Sequence, residues 1–253
     1  YFSCANWGKR SLALDVAEPA GLDVVRRLAE HSDIVIASYK PGDDAKLGLD
    51  PATLLDLNPR LIYGQISAYG RDDPRPGFDA IVQAESGFTF LNGEPDGPPT
   101  KMPVALVDLL AAHQLKEGIL VALLQRGRTG TGRHVHVSLL DAAIASLANQ
   151  ASNYLVAGVV PRRMGSEHPN IVPYGAVYTL GDGRELVLAV GTERQWQALT
   201  RAVEREDLSR DPRFADNRGR VRHRVELHAE LTDTFAALSA EEAARRLGAG
   251  RVP

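Results

Sequence analysis

One cysteine, two methionines and two tryptophans in 253 residues leave little material for several common chemistries. A single thiol, Cys4, excludes an intrachain disulfide, and a structural zinc site without companion cysteines needs an unusual ligand set. No base lies near Cys4 in the sequence to make it a thiolate nucleophile. The chain has no apolar run of the ~20 residues that cross a bilayer. Its opening, YFSCANWGKR, lacks the charged-then-apolar order of a signal peptide. These absences point to a soluble protein of a reducing, cytoplasmic compartment. Charge of one sign is also scarce: the net of -3 gives no general attraction to nucleic acid or to an anionic membrane. Partners are therefore expected among small molecules and copies of the chain itself, with an acidic ligand met by local Arg or Lys. Neither an internal repeat nor a low-complexity tract is present. The first residue is Tyr rather than Met and the last, Arg251-Val252-Pro253, follow no capping element, so segments are expected to be missing at both ends.

A hydrophobic content of 44% over this length is enough for one large core or two smaller ones. The first half alternates short β-branched runs with helical spacing, the pattern of parallel βαβ units in an α/β protein. Strands are expected at Ser11–Val16, Asp33–Ser38 and Leu61–Ser67. Between them, Pro19 opens a helix carrying Leu22, Val25, Leu28 and Ala29, and Pro51–Leu57 forms a shorter one. Residues 1 to about 67 thus resemble part of a doubly wound sheet. Phe78–Ser86 is read as helical, between loops at 68–76 and 92–103 that are long enough to border a site. A long helix is expected over Val107–Gln125, a strand at His134–Ser138 and a second long helix over Leu139–Val156. After Pro161 the texture changes to a β-hairpin, YGAVYTL and ELVLAV around Gly181-Asp182-Gly183, followed by Arg/Glu-rich helix.

Few motifs stand out singly. GRTGTGR follows a helix and opens a strand, so it is read as a helix-terminating turn rather than a phosphate loop. His134 and His136 alternate along a strand and share a face, but no third metal ligand is near, and they are expected to be exposed strand histidines. His168 lies in a Ser-Glu-His-Pro-Asn turn, where its plain role is to hydrogen-bond that turn. Asp108 sits near the start of an otherwise apolar helix. Taken alone, it is a carboxylate that satisfies free N–H groups and the helix dipole. Lys9-Arg10, Lys40 and Lys46 flank strands where an α/β sheet commonly meets an anionic ligand, and solvated charge is their plain alternative.

Taken together and in order, NWGKRSLALDV, DIVIASYKPGDDAKLGL, NPRLIYGQISAYG, RPGFDAIVQAESG, GEPDGPP, VALVDLLAA and RTGTGRHVHVSLLDA resemble the class III CoA-transferases, the formyl-CoA transferase or CaiB/BaiF group. The resemblance spans nearly the whole chain. NYLVAG followed by GSEHPNIVPYGAVYTL is most similar to members that act on succinyl-CoA and other dicarboxylates. It implies a Rossmann-like, mainly parallel large domain at 1–163, a linker and smaller α+β domain at 164–253, and an interlocked homodimer. It also implies an acyl-CoA and a free carboxylic acid as substrates, with coenzyme A as the carrier and no metal or redox cofactor. The family's acylated carboxylate falls on Asp108. Its CoA contacts fall on Leu14, Asp15, Val16, Ala17, Ser38, Tyr39, Lys46 and Leu47, with Ser38 standing where the family commonly has Asn. His168 matches a segment on the substrate side.

The α-methylacyl-CoA racemases share this fold and carry a second base, the His of a Gly-His-Asp word. The corresponding word here is Gly77-Phe78-Asp79, and Phe78 cannot exchange a proton. Transferase is accordingly favoured over racemase. A nucleotide-dependent oxidoreductase or a plain nucleotide-binding domain rests on the α/β pattern alone and lacks the Gly-rich fingerprint.

Overall fold

A computed structural model describes residues 2–253. The chain divides into two compact units, Tyr1–Thr89 with Lys101–Ala151, and Phe90–Thr100 with Ser152–Pro253. In chain order the elements begin with α1 (Phe2–Asn6), α2 (Pro19–Glu30), β1 (Ile34–Ala37), α3 (Asp43–Lys46), α4 (Pro51–Leu57) and β2 (Ile62–Ser67). They continue with α5 (Asp79–Glu85), α6 (Phe88–Leu91), α7 (Leu106–Thr129), β3 (Arg133–Ser138), α8 (Leu139–Ser146) and α9 (Asn149–Ala157). The remainder is β4 (Tyr174–Thr179), β5 (Glu185–Ala189), α10 (Glu193–Ala202), α11 (Glu206–Arg210), α12 (Asn217–Arg222), α13 (Arg224–Ala236) and α14 (Ala240–Gly250).

In the first unit β1, β2 and β3 form a parallel sheet in that order. Successive residues of β2 point to opposite faces, and each face has its own cover. Ile62 is buried against Leu115, Ile119 and Ala122 of α7. Tyr63 is buried on the other side with Ala29 of α2 and Leu54 of α4. Each such aliphatic or aromatic burial stabilises the fold by roughly 1.5–3 kcal/mol, so the all-apolar stretch Leu61–Tyr63 at the start of the central strand reads directly as a position covered on both faces. Helix α4 starts where Asp50 accepts a hydrogen bond from the Thr53 N–H (3.1 Å), with Pro51 at the first helical position. Helix α7 ends at Gly130, whose φ of 77° suits glycine and whose N–H reaches the Arg126 carbonyl (2.8 Å). The GRTGTGR segment is thus a helix-terminating turn.

Three expectations change here. Ser11–Val16 is not a strand, and Leu12 is 63% exposed. Among the described residues no strand lies beside its alternating apolar pattern to complete a ladder, and an isolated strand does not hold. The expected helix at 139–156 is two helices, separated where Ala148 takes a left-handed φ of 50°. The parallel sheet has three strands, smaller than a full doubly wound sheet, although helices do cover both its faces.

The second unit starts at Ser152, ahead of the boundary expected at 163, and takes in the 90–100 loop. The physical links are specific. Asn153 and Asn170 exchange amide hydrogen bonds (3.1 and 2.9 Å), the Gly165 N–H donates to the Gly93 carbonyl (3.1 Å), and Arg163 donates to the Phe90 carbonyl (2.8 Å). The hairpin β4–β5 is antiparallel and packs with Trp196, Leu199, Phe214, Leu231 and Phe235 in one core. Arg220, 2% exposed, is fully engaged inside it. Its guanidinium donates to Val172 and Phe214 carbonyls and to both Glu193 oxygens, and lies over the Trp196 ring. A buried cation is tolerated only when paired and hydrogen-bonded in this way.

Candidate active site

Asp108 occupies the third position of α7, beside the fully buried Val107 and itself exposed. The first N–H groups of a helix have no partner within it, and an acidic residue here commonly turns back to cap them. That role is filled by a different carboxylate. The Val107 N–H donates to Asp79 Oδ1 at 2.8 Å, and the residue that immediately precedes the helix, Ala105, offers no side-chain cap. Asp79 is in turn held by Gln83, whose Nε2 donates to Asp79 Oδ2 (2.7 Å) and to the Val104 carbonyl (3.2 Å). Gln83 Oε1 accepts from the Met102 N–H (2.9 Å), and the whole side chain is buried. Among the described residues Asp108 has no hydrogen-bond or ion-pair partner. Partial loss of solvent, and secondarily the negative charge of Asp79, raises its carboxyl above the ordinary value.

The Gly77-Phe78-Asp79 word therefore borders the start of α7. Phe78 is 73% exposed in extended backbone just before α5, a phenyl ring with no titratable atom. Gly77 is required by close approach: a Cβ there would stand 2.3 Å from Ala68 Cβ. Asp79 was marked in the sequence only as the last residue of the Gly77-Phe78-Asp79 word and Gln83 not at all, because their partners at 102–107 lie about twenty to thirty positions away.

Of the residues matched to CoA contacts, Ser38 and Tyr39 follow the C-terminal end of β1 and line a cavity of about 450 Å³ with Val25, Leu28, Ile36 and Tyr63. Leu47 packs against the core beneath it. Lys46 is exposed and pairs with Asp43 at 2.7 Å, which raises its ammonium pKa through that hydrogen bond and charge. Leu14 to Ala17 form a separate turn, in which Asp15 Oδ1 accepts from the Ala17 N–H (3.0 Å); they do not line the cavity.

The strand histidines are half-buried rather than exposed. The parallel register sets His134 beside Tyr63 and His136 beside Gln65, on the sheet face covered by α2 and α4. His136 Nε2 lies 2.9 Å from Ser67 Oγ, and Arg71 lies 2.6 Å from His134 Nδ1. Burial, with Arg71 next, pushes His134 down to about 4 and lowers His136. The alternation was visible in the sequence; which face the layer of helices covers was not. No group of three or more side chains suited to a metal ion occurs among the described residues, and no helix there is long and apolar enough to cross a membrane.

His168 belongs to the second unit. Its Nδ1 accepts from the Asn170 N–H (3.1 Å), its ring meets Tyr174 edge-on at 5.6 Å, and Arg224 donates to its carbonyl (3.3 Å). Burial and the Arg224 charge lower its pKa.

The parallel α/β unit, with an unbonded carboxylate at the start of its long helix, can be set beside known proteins. The chain belongs to CoA-transferase family III, whose profile it matches over residues 1–253. It is 43% identical over 230 residues to a succinate–glutarate CoA-transferase of Agrobacterium fabrum, covering 90% of this chain and 57% of that protein. It is 35% identical over 239 residues to the succinyl-CoA:glutarate CoA-transferase of Mus musculus, covering 93% of this chain and 54% of the mouse protein. The crystal structure of a CAIB/BAIF family protein from Brucella suis superposes with a TM-score of 0.76 at 37% identity, covering 97% of this chain and 65% of that one. An orthorhombic crystal structure of a Mycobacterium tuberculosis protein gives 0.85 at 34% identity, over 98% and 66%. The chain therefore spans a little over half the length of the two curated relatives named here.

Proposed function

We propose that the intact protein carrying this chain moves coenzyme A from an acyl-CoA, of the succinyl-CoA or other dicarboxylyl-CoA class, to a free carboxylic acid, with Asp108 transiently acylated. The observation that carries this reading is the unbonded Asp108 carboxylate, spared from capping α7 by Asp79. The substrate class is taken from the names of the relatives that act on succinate and glutarate.

In this scheme Asp108 attacks the thioester carbonyl of the donor, the C–S bond breaks, and a mixed anhydride and the CoA thiolate result. The thiolate then attacks the aspartyl carbonyl, releasing the donor as its free carboxylate and leaving an aspartyl-CoA thioester. The acceptor carboxylate attacks that thioester, whose C–S bond breaks to give a second mixed anhydride and the CoA thiolate; the thiolate then attacks the acceptor's carbonyl, forming the new acyl-CoA and expelling Asp108 as its carboxylate. The positive end of the α7 dipole favours negative charge at each tetrahedral stage. Leu14 to Ala17, Ser38, Tyr39, Lys46 and Leu47 are the proposed CoA contacts, Phe78 and His168 the proposed substrate-side residues, and a homodimer the proposed assembly. Phe78 in place of a second base argues against racemisation at the α-carbon.

The test is Asp108→Asn in the intact protein, assayed with a panel of acyl-CoAs and free dicarboxylic acids. An amide of nearly the same shape is a poor nucleophile, so transfer should be abolished. Wild-type protein incubated with acyl-CoA and then hydroxylamine or borohydride should carry the label on Asp108. Near-normal turnover of the Asn variant, or labelling confined to another residue, refutes the proposal. So does rapid deuterium exchange at the α-carbon with no transfer to any acid.

A further inference from the structure

We infer that Asp79 and Gln83 form a positioning clamp that caps α7 in place of Asp108 and thereby keeps the Asp108 carboxylate unbonded for attack; this rests on the reading of Asp108 as the acylated residue. The clamp is a closed set of four hydrogen bonds. Gln83, buried at the centre of it, fixes the approach to the helix through the Met102 N–H (2.9 Å) and the Val104 carbonyl (3.2 Å). The same amide donates to Asp79 Oδ2 (2.7 Å), which leaves Oδ1 directed at the Val107 N–H (2.8 Å). Each atom has one permitted role. The glutamine oxygen must accept from a backbone N–H, so its nitrogen must donate, and position 79 must present an acceptor to it.

A cap supplied from 28 residues away differs in consequence from a local one. A helix whose N-terminal N–H groups are satisfied by its own first-turn acid holds that acid in a hydrogen bond, where it is a weaker nucleophile. Asp79 removes that competition, and its nearby charge opposes the stabilisation of the Asp108 carboxylate, in keeping with the raised Asp108 carboxyl. Asp79 touches neither reacting atom in this scheme and acts only through Asp108 and α7.

The donor and acceptor logic supplies a reciprocal test. In Asp79→Asn the oxygen can still accept from Val107, but the new amide nitrogen meets the Gln83 nitrogen, donor against donor, and Gln83 cannot turn without losing Met102. In the double variant Asp79→Asn with Gln83→Glu the polarity of that contact is exchanged: the asparagine nitrogen donates to one glutamate oxygen while the other still accepts from Met102. The bond to Val104 is lost, and the glutamate oxygen there faces the Val104 carbonyl, acceptor against acceptor, so the exchange restores the contact with position 79 and not the whole clamp. In the intact protein, single-turnover acylation of Asp108 and kcat are expected to fall about tenfold to a hundredfold in Asp79→Asn, in the range typical of a misplaced reacting group, with KM for acyl-CoA nearly unchanged. The acid limb of its pH–rate profile should move to lower pH, because a negative charge beside Asp108 is gone. The double variant should be measurably faster than Asp79→Asn, recovering part of the loss, and should return the limb toward its wild-type position.

A single variant with wild-type kcat and an unmoved limb overturns the clamp, as does a folded double variant no faster than the single one. If Asp79→Asn alone does not fold, the folded double variant decides the matter: acylation of Asp108 sustains the inference and its absence overturns it. Failure of the underlying reading is distinguishable, since wild-type protein would then show no label on Asp108 at all.

Discussion

Replacing Gly77 by Ala tests whether the loop before α5 sets the position of the clamp. The added Cβ would lie 2.3 Å from Ala68 Cβ and 3.1 Å from Tyr69 Cε2, whereas carbon atoms in contact settle at ~3.5–4.0 Å. The two chain segments must therefore separate by roughly 1.2 Å or more. Ala68 resists the shift, because its carbonyl accepts from the Leu140 N–H (3.0 Å) at the start of α8. Tyr69 is pinned under the Arg75 guanidinium at 3.9 Å. Displacement thus falls on residues 77–79 and carries Asp79 away from Val107. Overpacking of this kind destabilises by about 1–3 kcal/mol, or a midpoint drop of about 2–4 °C per kcal/mol in a protein of this size. The proposed transfer activity of the intact protein should fall further than stability does, by about tenfold to a hundredfold. Gly127→Ala is the matched control. Gly127 lies within α7 and is open around its α-carbon, so that an added methyl group would meet no atom within 4 Å. Ala there should stabilise by about 0.5–1 kcal/mol. Thermal unfolding and initial rates of both variants in the intact protein provide the measurement. A Gly77→Ala protein with wild-type midpoint and rate would refute the reasoning.

Other expectations concern pH. Because the fold raises the Asp108 carboxyl, its ionised form is less favourable in the native than in the unfolded chain. Asp108→Asn should consequently be at least as stable as wild type at neutral pH, with the advantage fading as pH falls through the native value and absent below the unfolded one. Denaturant midpoints across that range check it, and a marked loss at neutral pH would show that the carboxylate supports the fold. His134, pushed down to about 4, binds fewer protons in the native state than in the unfolded state between about 4 and 6.5. Stability should therefore fall as pH drops through that window, and His134→Gln should flatten the slope; an unchanged slope would mean that His134 is not neutral in the native state.

What could be read from the sequence follows from which interactions are local. The strands at 34–37 and 62–67, the long helix ending at Gly130 and the hairpin around Gly181–Gly183 announce themselves through periodicity and turn residues. Asp108 stood out only through resemblance, since a first-turn Asp has an ordinary helix-capping explanation. The fact that sets this explanation aside, a cap from Asp79, requires knowing that α5 packs beside the start of α7. Gln83 was invisible for the same reason: a glutamine within a short helix has no spacing that marks it as buried and fully bonded. His134 and His136 show the limit of pattern reading from another side, because alternation assigns them a common face but not its cover. Ser11–Val16 failed in the reverse direction, with strand-like alternation and no partner strand among the described residues to use it.

At its other end α7 is moored. Arg126 donates to the Asp33 and Arg60 carbonyls (3.3 and 2.9 Å) and pairs with the Asp33 carboxylate (2.9 Å), joining the helix to the entry points of β1 and β2. Asp108 lies eighteen positions back along the helix from that anchor, about 27 Å at the standard rise. A rod fixed at one end only swings, and its free tip travels farthest; a rod fixed at both ends cannot. Arg126 thus stands to the Asp108 tip as a heel stands to a toe, and loosening it would be felt as blurred aim at a residue it never touches.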